Sequence, residues 1–361
     1  MMRKTLLIGG GVLVAFIAVG LVALRIPSVD MWLFRHAAAR IVSRPAPILA
    51  KPGELSVLLC GTGTPLPDRT RAGPCALVAA GDRLYVIDVG IGSVRNMLLW
   101  RLPLAKVRGV LITHFHSDHI PELGEIRLQT WVAGRRTHLP VYGPPGVERV
   151  VAGFEEAYAL DTQYRTAHHG ADFLPPDAAP MDAKPVPIPP DATTAAVLDD
   201  HGLKITAIRV HHDPARPAYG YRFDYKGRSI VISGDTTPDE DLARAARGAD
   251  VLVHEGLQPE MVAALGAALK KAGKWRAAKI MHDIPGYHSS PVGAARIANE
   301  AGVKRLVFTH MLPILPNAAA RRMFLNGVAA VRPDGVEIGH DGLLIRLPAG
   351  SDAIEETSLD D

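Results

Sequence analysis

A cluster of histidine and aspartate side chains lies in the first half of the chain. His114, His116, Asp118 and His119 form an HxHxDH pattern directly after the apolar run 110–112. Imidazoles and carboxylates crowded in this way need a partner that offsets their desolvation, and a metal ion with nitrogen and oxygen ligands supplies one. A strand ending in a tight turn would direct His114 and His116 at one cation, and Asp118 and His119 at a second. Two such cations support hydrolysis, because they activate water and offset charge on substrate oxygens.

Three further ligand candidates stand at or just after the ends of apolar, strand-like runs. They are His212, Asp235 and His310. Rigid backbone at a strand end can hold a side chain within the tolerance that a metal requires. Each also has an ordinary alternative role, as a loop histidine, a turn or capping aspartate, and a strand-end histidine. The adjacent His211 is expected to be structural or to orient a ligand.

The elements that would position these residues alternate between strands and helices in two halves of the chain. Strands in both halves with helices between them predict two facing sheets with helices outside. Residues 161–202 separate the halves and carry seven prolines, so we predict an irregular insert there. The predicted strands span residues 55–59, 76–79, 84–87, 110–112, 203–210, 219–225, 229–232, 251–254 and 305–309, and the helices about 121–132, 147–160, 239–247, 259–271 and 291–301.

The order and placement of these motifs resemble the metallo-β-lactamase superfamily, specifically its ribonuclease Z and arylsulfatase-like phosphodiesterase branch. The resemblance covers roughly residues 54–346. Besides the HxHxDH cluster, it rests on Gly61-Thr62-Gly63-Thr64-Pro65, Ile87-Asp88-Val89-Gly90, His212 followed by Gly220-Tyr221-Arg222, Ser233-Gly234-Asp235-Thr236, His254-Glu255-Gly256, Tyr287-His288-Ser289-Ser290-Pro291 and Thr309-His310.

The resemblance implies an α+β fold, a four-layer αββα sandwich with a two-metal site at one edge. Imidazole and carboxylate ligands suit zinc, so two Zn²⁺ are the expected cofactors, with Mn²⁺ or Fe left open by ligand type. The metal ligands it implies are His114, His116 and His212 for the first metal, Asp118, His119 and His310 for the second, and Asp235 as the bridge.

Asp118, His288 and Glu255 are the predicted catalytic residues. In the ribonuclease Z branch, a glutamate of a HEAT-like motif supports a histidine of an HST-like motif, and here HEG at 254–256 and HSS at 288–290 occupy those positions. The resemblance thus implies that His288 acts as general acid or stabilises the transition state, and that Glu255 orients it. Because the motif here reads HEG and not HEAT, the resemblance leaves open how His288 and Glu255 interact in detail.

Several neighbouring residues carry smaller predictions. Asp88 lies at a strand end before a glycine, where it would orient a liganding histidine or cap a turn. Thr62 and Thr64 are expected to order their loop through local hydrogen bonds. Cys60 and Cys75 are the only cysteines, 15 residues apart, and the sequence leaves open whether they pair or remain free thiols. His168-His169 in the insert either reach the site or face solvent.

Charge and spacing bear on the substrate. Residues 52–361 hold 33 basic and 36 acidic side chains. This part of the chain therefore lacks the excess of positive charge that is typical of a nucleic-acid binder. Only 22 residues separate His212 from Asp235, where tRNA-processing members of the resembled branch carry a protruding basic arm. We therefore predict a small-molecule ester substrate, a phosphodiester or an aryl sulfate. The alternatives are a ribonuclease Z-like 3′-tRNA processing endonuclease, a lactonase, or a metal-binding scaffold without turnover. Homodimers are common in the resembled branch, so the resemblance also implies a homodimer as the expected assembly.

An apolar segment lies near the N-terminus. Residues 5–24 carry no charge, and at roughly 1.5 Å per residue they could cross a hydrocarbon core of roughly 30 Å. We predict one N-terminal transmembrane helix, with a cleaved signal peptide as the alternative, and a single-pass protein of the cell inner membrane whose catalytic domain is extracytoplasmic. The predicted domains are a membrane anchor 1–30, a juxtamembrane linker 31–53, a hydrolase domain 54–348 and an acidic disordered tail 349–361.

Overall fold

A computed structural model describes residues 26–360 of the chain. The chain divides into two units between Ala46 and Pro47. In the first unit, helix α1 spans Pro27–Ser43, and none of its side chains is buried. Proline suits the first position of a helix, because its missing N–H would find no partner there.

The first sheet of the second unit has eight strands. They are β1 Leu55–Gly61, β2 Cys75–Ala80, β3 Arg83–Ile87, β4 Val107–Leu111, β5 Leu139–Gly143, β6 Met181–Pro185, β14 Leu343–Leu347 and β15 Glu355–Ser358. Their order is β15-β14-β1-β2-β3-β4-β5-β6. Strands β3 to β6 run parallel, and every residue of β1 and β2 is buried, as expected for strands covered on both faces.

The second sheet has seven strands. They are β7 Thr194–Asp200, β8 Leu203–Val210, β9 Ala218–Tyr225, β10 Arg228–Ile232, β11 Val251–Leu257, β12 Arg305–Leu312 and β13 Val336–Ile338. Their order is β13-β12-β11-β10-β9-β8-β7. Strands β10 to β13 run parallel, whereas β7 to β10 are joined antiparallel.

The main core lies between the two sheets. Val57 and Tyr85 of the first sheet are buried in one cluster with Ile205, Phe223 and Val253 of the second. Helices cover both outer faces, with a separate apolar cluster under each layer. The predicted αββα sandwich is therefore confirmed. The helices are α2 Ser93–Leu99, α3 Leu123–Val132, α4 Val147–His169, α5 Glu240–Ala245, α6 Pro259–Lys271, α7 Trp275–Asp283, α8 Pro291–Ala301, α9 Ala318–Phe324 and α10 Val328–Val331.

The predicted transmembrane helix is not supported, and the predicted fold class is corrected on that point. Residues 5–24 themselves lie outside the described residues. Within residues 26–360, no helix combines the length and the apolar composition that a bilayer crossing needs. Helix α1 has only 17 residues and includes Asp30, Arg35 and Arg40. The predicted location in the cell inner membrane, with an extracytoplasmic catalytic domain, depended on that helix and is withdrawn with it.

Two segments predicted to be irregular contain regular structure. Helix α4 continues to His169, and the rest of the insert supplies β6 and β7, each at the edge of its sheet. Edge strands tolerate proline, and Pro185 ends β6. In the tail, β15 pairs antiparallel with β14, and Glu356 forms an ion pair with Arg305 at 2.8 Å. As far as Asp360 the tail is therefore ordered, because it pairs with β14 and its acidic residues find basic partners.

The two cysteines are paired. Cys60 in β1 and Cys75 in β2 form a disulfide across neighbouring strands. The sequence had left this pairing open, because only the register of the two strands brings the sulfur atoms together.

Candidate metal centre

The seven candidate ligands come from four strand ends. The HxHxDH cluster follows β4 in the first sheet, whereas His212 follows β8, Asp235 follows β10 and His310 lies in β12 of the second sheet. The structure brings all seven together at one edge of the sandwich, where their donor atoms form overlapping groups within 4.8 Å of one another. The site thus depends on both sheets.

Local backbone geometry directs two of these side chains. Pairing between β11 and β12 is interrupted by one extra residue of β12, His310, which makes a β-bulge with φ of +44°. Such a φ is uncommon outside glycine. Gly234 has φ of +62°, and a Cβ there would lie 2.4 Å from the carbonyl oxygen of Tyr219. Glycine is therefore required for the turn that presents Asp235.

The first group of donors consists of three histidines. Nε2 of His114 lies 3.0 Å from Nδ1 of His116, and Nε2 of His212 lies 3.2 Å from the same atom. His114 and His212 are buried, whereas His116 is exposed. Burial lowers the pKa of His114 well below its ordinary value and also lowers the pKa of His212. Neutral imidazoles are the form that binds a metal.

The second group shares a carboxylate with the first. Nε2 of His310 lies 3.3 Å from Oδ2 of Asp118, and Nε2 of His119 lies 3.5 Å from it. Oδ2 of Asp235 lies 3.4 Å from both of these nitrogens. It also lies 4.0 Å from Nε2 of His114. A single oxygen of Asp235 therefore faces both groups, which is the placement that a bridging ligand requires.

Two buried nitrogens of the candidate ligands have no hydrogen-bond partner within residues 26–360, Nδ1 of His310 and Nε2 of His119. The neighbours of Nε2 of His119 are the carboxylate oxygens of Asp118 and Asp235. A buried polar atom without a partner is costly. Burial acts to lower the pKa of His119, but the charges of Asp235 and Asp88 outweigh it and raise that pKa well above its usual value. A cation between this nitrogen and the two carboxylates would satisfy all three groups.

Two of the liganding histidines, His119 and His212, are oriented by groups that are not themselves candidate ligands. Asp88 accepts hydrogen bonds of 2.8 Å from the backbone N–H and the hydroxyl of Thr113, and its Oδ2 lies 2.8 Å from Nδ1 of His119. Asp88 thus holds the ring of His119 with Nε2 turned to the site. Nδ1 of His212 lies 2.8 Å from the carbonyl oxygen of Tyr287. Nothing in the sequence indicated the role of Tyr287, because any residue offers a carbonyl.

His288 and Glu255 lie beside the second group of donors. Nδ1 of His288 is 3.3 Å from Oε1 of Glu255 and 4.0 Å from Oδ2 of Asp235. Glu255 is fixed by the backbone N–H of Ser289, which donates to Oε1 at 2.7 Å. Burial acts to lower the pKa of His288, but Glu255 outweighs it and raises that pKa. The ring of His288 stacks on that of His310, with centres 5.5 Å apart.

The other singled-out residues lie outside the donor groups. The side chain of His211 is 54% exposed, and His254 is buried with Nδ1 2.7 Å from the carbonyl oxygen of Glu255. His168 and His169 are exposed at the end of α4, so they do not enter the site.

An aspartate that the sequence did not single out orders the Gly-rich loop. Oδ1 of Asp341 accepts hydrogen bonds from the backbone and hydroxyl of Thr62 at 2.9 and 2.7 Å, and Oδ2 accepts one from the backbone of Ala72 at 2.6 Å. Thr64 has the local role expected of it, because its hydroxyl accepts from the backbone N–H of Leu66 at 3.3 Å. Asp341 lies 279 residues after Thr62, so no local spacing could have indicated it.

A cavity of about 230 Å³ opens at the donors. His116, Asp118 and His288 line it, together with the apolar side chains of Leu66 and Met281. Its walls therefore include the loop after the Gly-rich motif and α7, and no lining residue comes from the insert 161–202.

Comparisons with known proteins agree with this fold. Residues 83–311 match the family described as the β-lactamase superfamily domain. The chain is 35% identical over 291 residues to ribonuclease Z of Mycobacterium bovis (strain BCG / Pasteur 1173P2), covering 80% of this chain and 96% of the relative. It is 36% identical over 301 residues to ribonuclease Z of Mycobacterium avium (strain 104), covering 82% and 100%.

Solved structures share the fold at lower identity. The metallo-β-lactamase fold protein YhfI from Bacillus subtilis superimposes with a TM-score of 0.56 at 20% identity, covering 81% of this chain and 100% of that one. The short form of human tRNase Z gives a TM-score of 0.56 at 21% identity, covering 80% and 98%.

Proposed function

We propose a ribonuclease activity for this chain, which belongs to the metallo-β-lactamase superfamily and is a metal-dependent hydrolase of ester bonds. The proposed reaction is endonucleolytic cleavage of a phosphodiester bond at the 3′ side of precursor tRNA. The observation that carries the proposal is the nearly full-length match to relatives named ribonuclease Z. This reverses the preference for a small ester and adopts the alternative that the motifs had left open.

Two Zn²⁺ are the proposed cofactors. Ligands placed tetrahedrally at about 2.0–2.1 Å from zinc lie about 3.3 Å apart, close to the 3.0 and 3.2 Å between the histidine nitrogens of the first group. His114, His116 and His212 would hold one cation, Asp118, His119 and His310 the other, and Asp235 both. When bound, the two cations would make water a nucleophile near neutral pH and offset charge on the phosphate oxygens.

The leaving oxygen of an RNA strand needs a proton, and His288 is the proposed donor. Its Nδ1 faces Oε1 of Glu255, so its Nε2 is the ring atom left to face the substrate. Glu255 fixes this orientation, because the backbone N–H of Ser289 holds the carboxylate in place. Removing the support of Glu255 should therefore slow release of the leaving group more than it weakens substrate binding.

Zinc-loaded protein incubated with a precursor tRNA that carries a 3′ trailer should release the trailer. Two adjacent histidines provide a matched pair of variants. His212→Ala removes one donor of the first group and should abolish cleavage, whereas His211→Ala changes a half-exposed neighbour and should cleave as the wild type does. An RNA left intact by wild-type protein that hydrolyses bis-p-nitrophenyl phosphate would contradict the proposal.

A small phosphodiester is the second candidate substrate, and one structural observation favours it. The segment from His212 to Asp235 consists of one short loop, β9, a turn at Lys226-Gly227, and β10, so it has no arm for a large substrate. If this candidate is correct, hydrolysis of bis-p-nitrophenyl phosphate will remain efficient while precursor tRNA neither binds nor competes.

A further inference from the structure

A pair of helices carries a concentrated positive charge. Helices α6 and α7 and the turn between them, residues 259–283, form what we call the basic hairpin. It holds five basic and two acidic side chains, although residues 52–361 as a whole hold 33 basic and 36 acidic ones. The hairpin is thus a local exception on a mildly acidic unit. Its basic residues are all exposed: Lys270, Lys271, Lys274, Arg276 and Lys279.

The basic hairpin borders the candidate metal centre. Ile280 and Met281 of α7 line the same cavity as His116 and His288. Val262 and Met281 anchor the hairpin, because they are buried in one apolar cluster with residues of β11 and β12. A molecule lying along the hairpin would therefore reach the donors directly.

Most of the positive charge on the hairpin has no counter-ion. Lys279 pairs with Asp283 at 2.5 Å, and the ammonium of Lys270 lies 5.9 Å from the ring centre of Trp275. The remaining basic side chains form no ion pair or side-chain hydrogen bond within residues 26–360: Lys271, Lys274 and Arg276.

Helix electrostatics do not account for two of these charges. Lys274 and Arg276 lie at the N-terminal end of α7, whose first turn has no acidic residue and whose N-cap side chain makes no hydrogen bond. The helix dipole is positive at that end, so cations there oppose helix stability. Residues that oppose local stability are expected where function requires them. Binding of an anionic partner would be a function that requires these two cations.

RNA has the chemistry that fits this surface. Unpaired cations match backbone phosphates, and Trp275, which is 63% exposed among them, offers a ring on which an unpaired base can stack. We infer that the basic hairpin holds the RNA backbone beside the metal centre, in place of the arm that the chain lacks between His212 and Asp235. This inference rests on the proposed ribonuclease function.

The test compares two triple variants of the full chain that remove the same charge. The hairpin variant carries Lys271→Ala, Lys274→Ala and Arg276→Ala. The control variant carries Lys106→Ala, Arg108→Ala and Lys204→Ala, three exposed basic residues near the starts of β4 and β8. Those strands present their ligands at the opposite ends, so the control residues lie far along the strands from the metal centre.

Binding of precursor tRNA is measured by fluorescence anisotropy in chelator, and cleavage is measured with zinc. In a plot of the logarithm of the binding constant against the logarithm of the salt concentration, each lost phosphate contact lowers the slope by about 0.7. Loss of three contacts should therefore lower the slope by about 2 and weaken binding about 50-fold at 0.15 M salt. The hairpin variant should show both changes, and the control variant neither. Hydrolysis of bis-p-nitrophenyl phosphate should be unchanged in both, because this substrate is too small to need the hairpin.

Three results would overturn the inference: equal RNA binding by the hairpin variant and the wild type, an equal loss in the control variant, or no RNA binding by the wild type. So would a hairpin variant that loses binding to phosphatidylglycerol vesicles but keeps its RNA binding, because the hairpin would then be a lipid-binding surface. Hairpin-dependent RNA binding without any cleavage would support the inference and refute the proposed function alone.

Discussion

Replacing Glu255 by glutamine removes the negative charge behind His288 and keeps the shape of the side chain. Oε1 of Glu255 accepts hydrogen bonds from the backbone N–H groups of Ser289 at 2.7 Å and Thr236 at 3.4 Å. An amide oxygen can accept both, so E255Q should fold. It loses the charged acceptor 3.3 Å from Nδ1 of His288. A hydrogen bond to a charged group contributes about 1.5–3 kcal/mol, which corresponds to roughly a 10- to 150-fold change in rate.

The choice of leaving group separates a role in proton delivery from a structural one. An RNA alkoxide needs a proton as it leaves, whereas p-nitrophenolate is stable without one. E255Q should therefore lower kcat for precursor tRNA by that factor, with little change in KM, and should lower kcat for bis-p-nitrophenyl phosphate much less. Zinc content and the thermal unfolding midpoint should match the wild type. An equal loss on both substrates, or a loss of zinc, would refute the reasoning.

Three further predictions concern metal binding and stability. Asp88→Asn removes the carboxylate that holds Nδ1 of His119 and should weaken zinc binding about 10- to 100-fold in chelator competition; unchanged affinity would contradict this. Zinc at a hundredfold excess over its Kd should raise the free energy of unfolding by about 2.7 kcal/mol, and Asp235→Asn should lose most of that gain in a thermal melt. Asp250 is buried against Arg228 at 3.0 Å, so Asp250→Asn should cost about 3–5 kcal/mol in urea unfolding. Burial acts to raise the pKa of Asp250, but hydrogen bonds from Arg228, Ser229 and Lys304 outweigh it and lower that pKa. This stabilisation is therefore present above the ordinary pKa of an aspartate, and it is lost as the pH falls through the pKa that Asp250 has in the folded protein. The Asp250→Asn variant should not show this loss of stability at acid pH.

Net charge is an incomplete guide to the proposed substrate. Summed over residues 52–361 it is slightly acidic, and this argued against nucleic acid. The sum conceals the basic hairpin, because α7 was absent from the predicted helices and the charges at 270–279 had no assigned position. Over a Debye length of roughly 8–10 Å, the local arrangement of charge determines what a surface attracts.

Segments that seemed irregular in sequence became ordered through partners far along the chain. Strand β15 exists because β14 offers it a free edge, and Arg305 and Arg346 pair with its glutamates. The proline-rich insert supplies β6 because an edge strand does not need every backbone N–H. None of these partners can be inferred from the local composition of the segment.

By itself, the sequence determined which side chains could bind metal. His114, His116, Asp118 and His119 stand together because one turn can present them, and His212, Asp235 and His310 follow strands that can hold them rigidly. Only the tertiary structure decided how these donors face one another. The bulge at His310 depends on the pairing of β11 with β12 in the second sheet, and the contact of Asp88 with His119 depends on the neighbouring ends of β3 and β4 in the first. The single oxygen of Asp235 faces donors from both sheets. The distances between donors of the two sheets are set by how the sheets pack, and those within one sheet by strand pairing, and no local spacing encodes either.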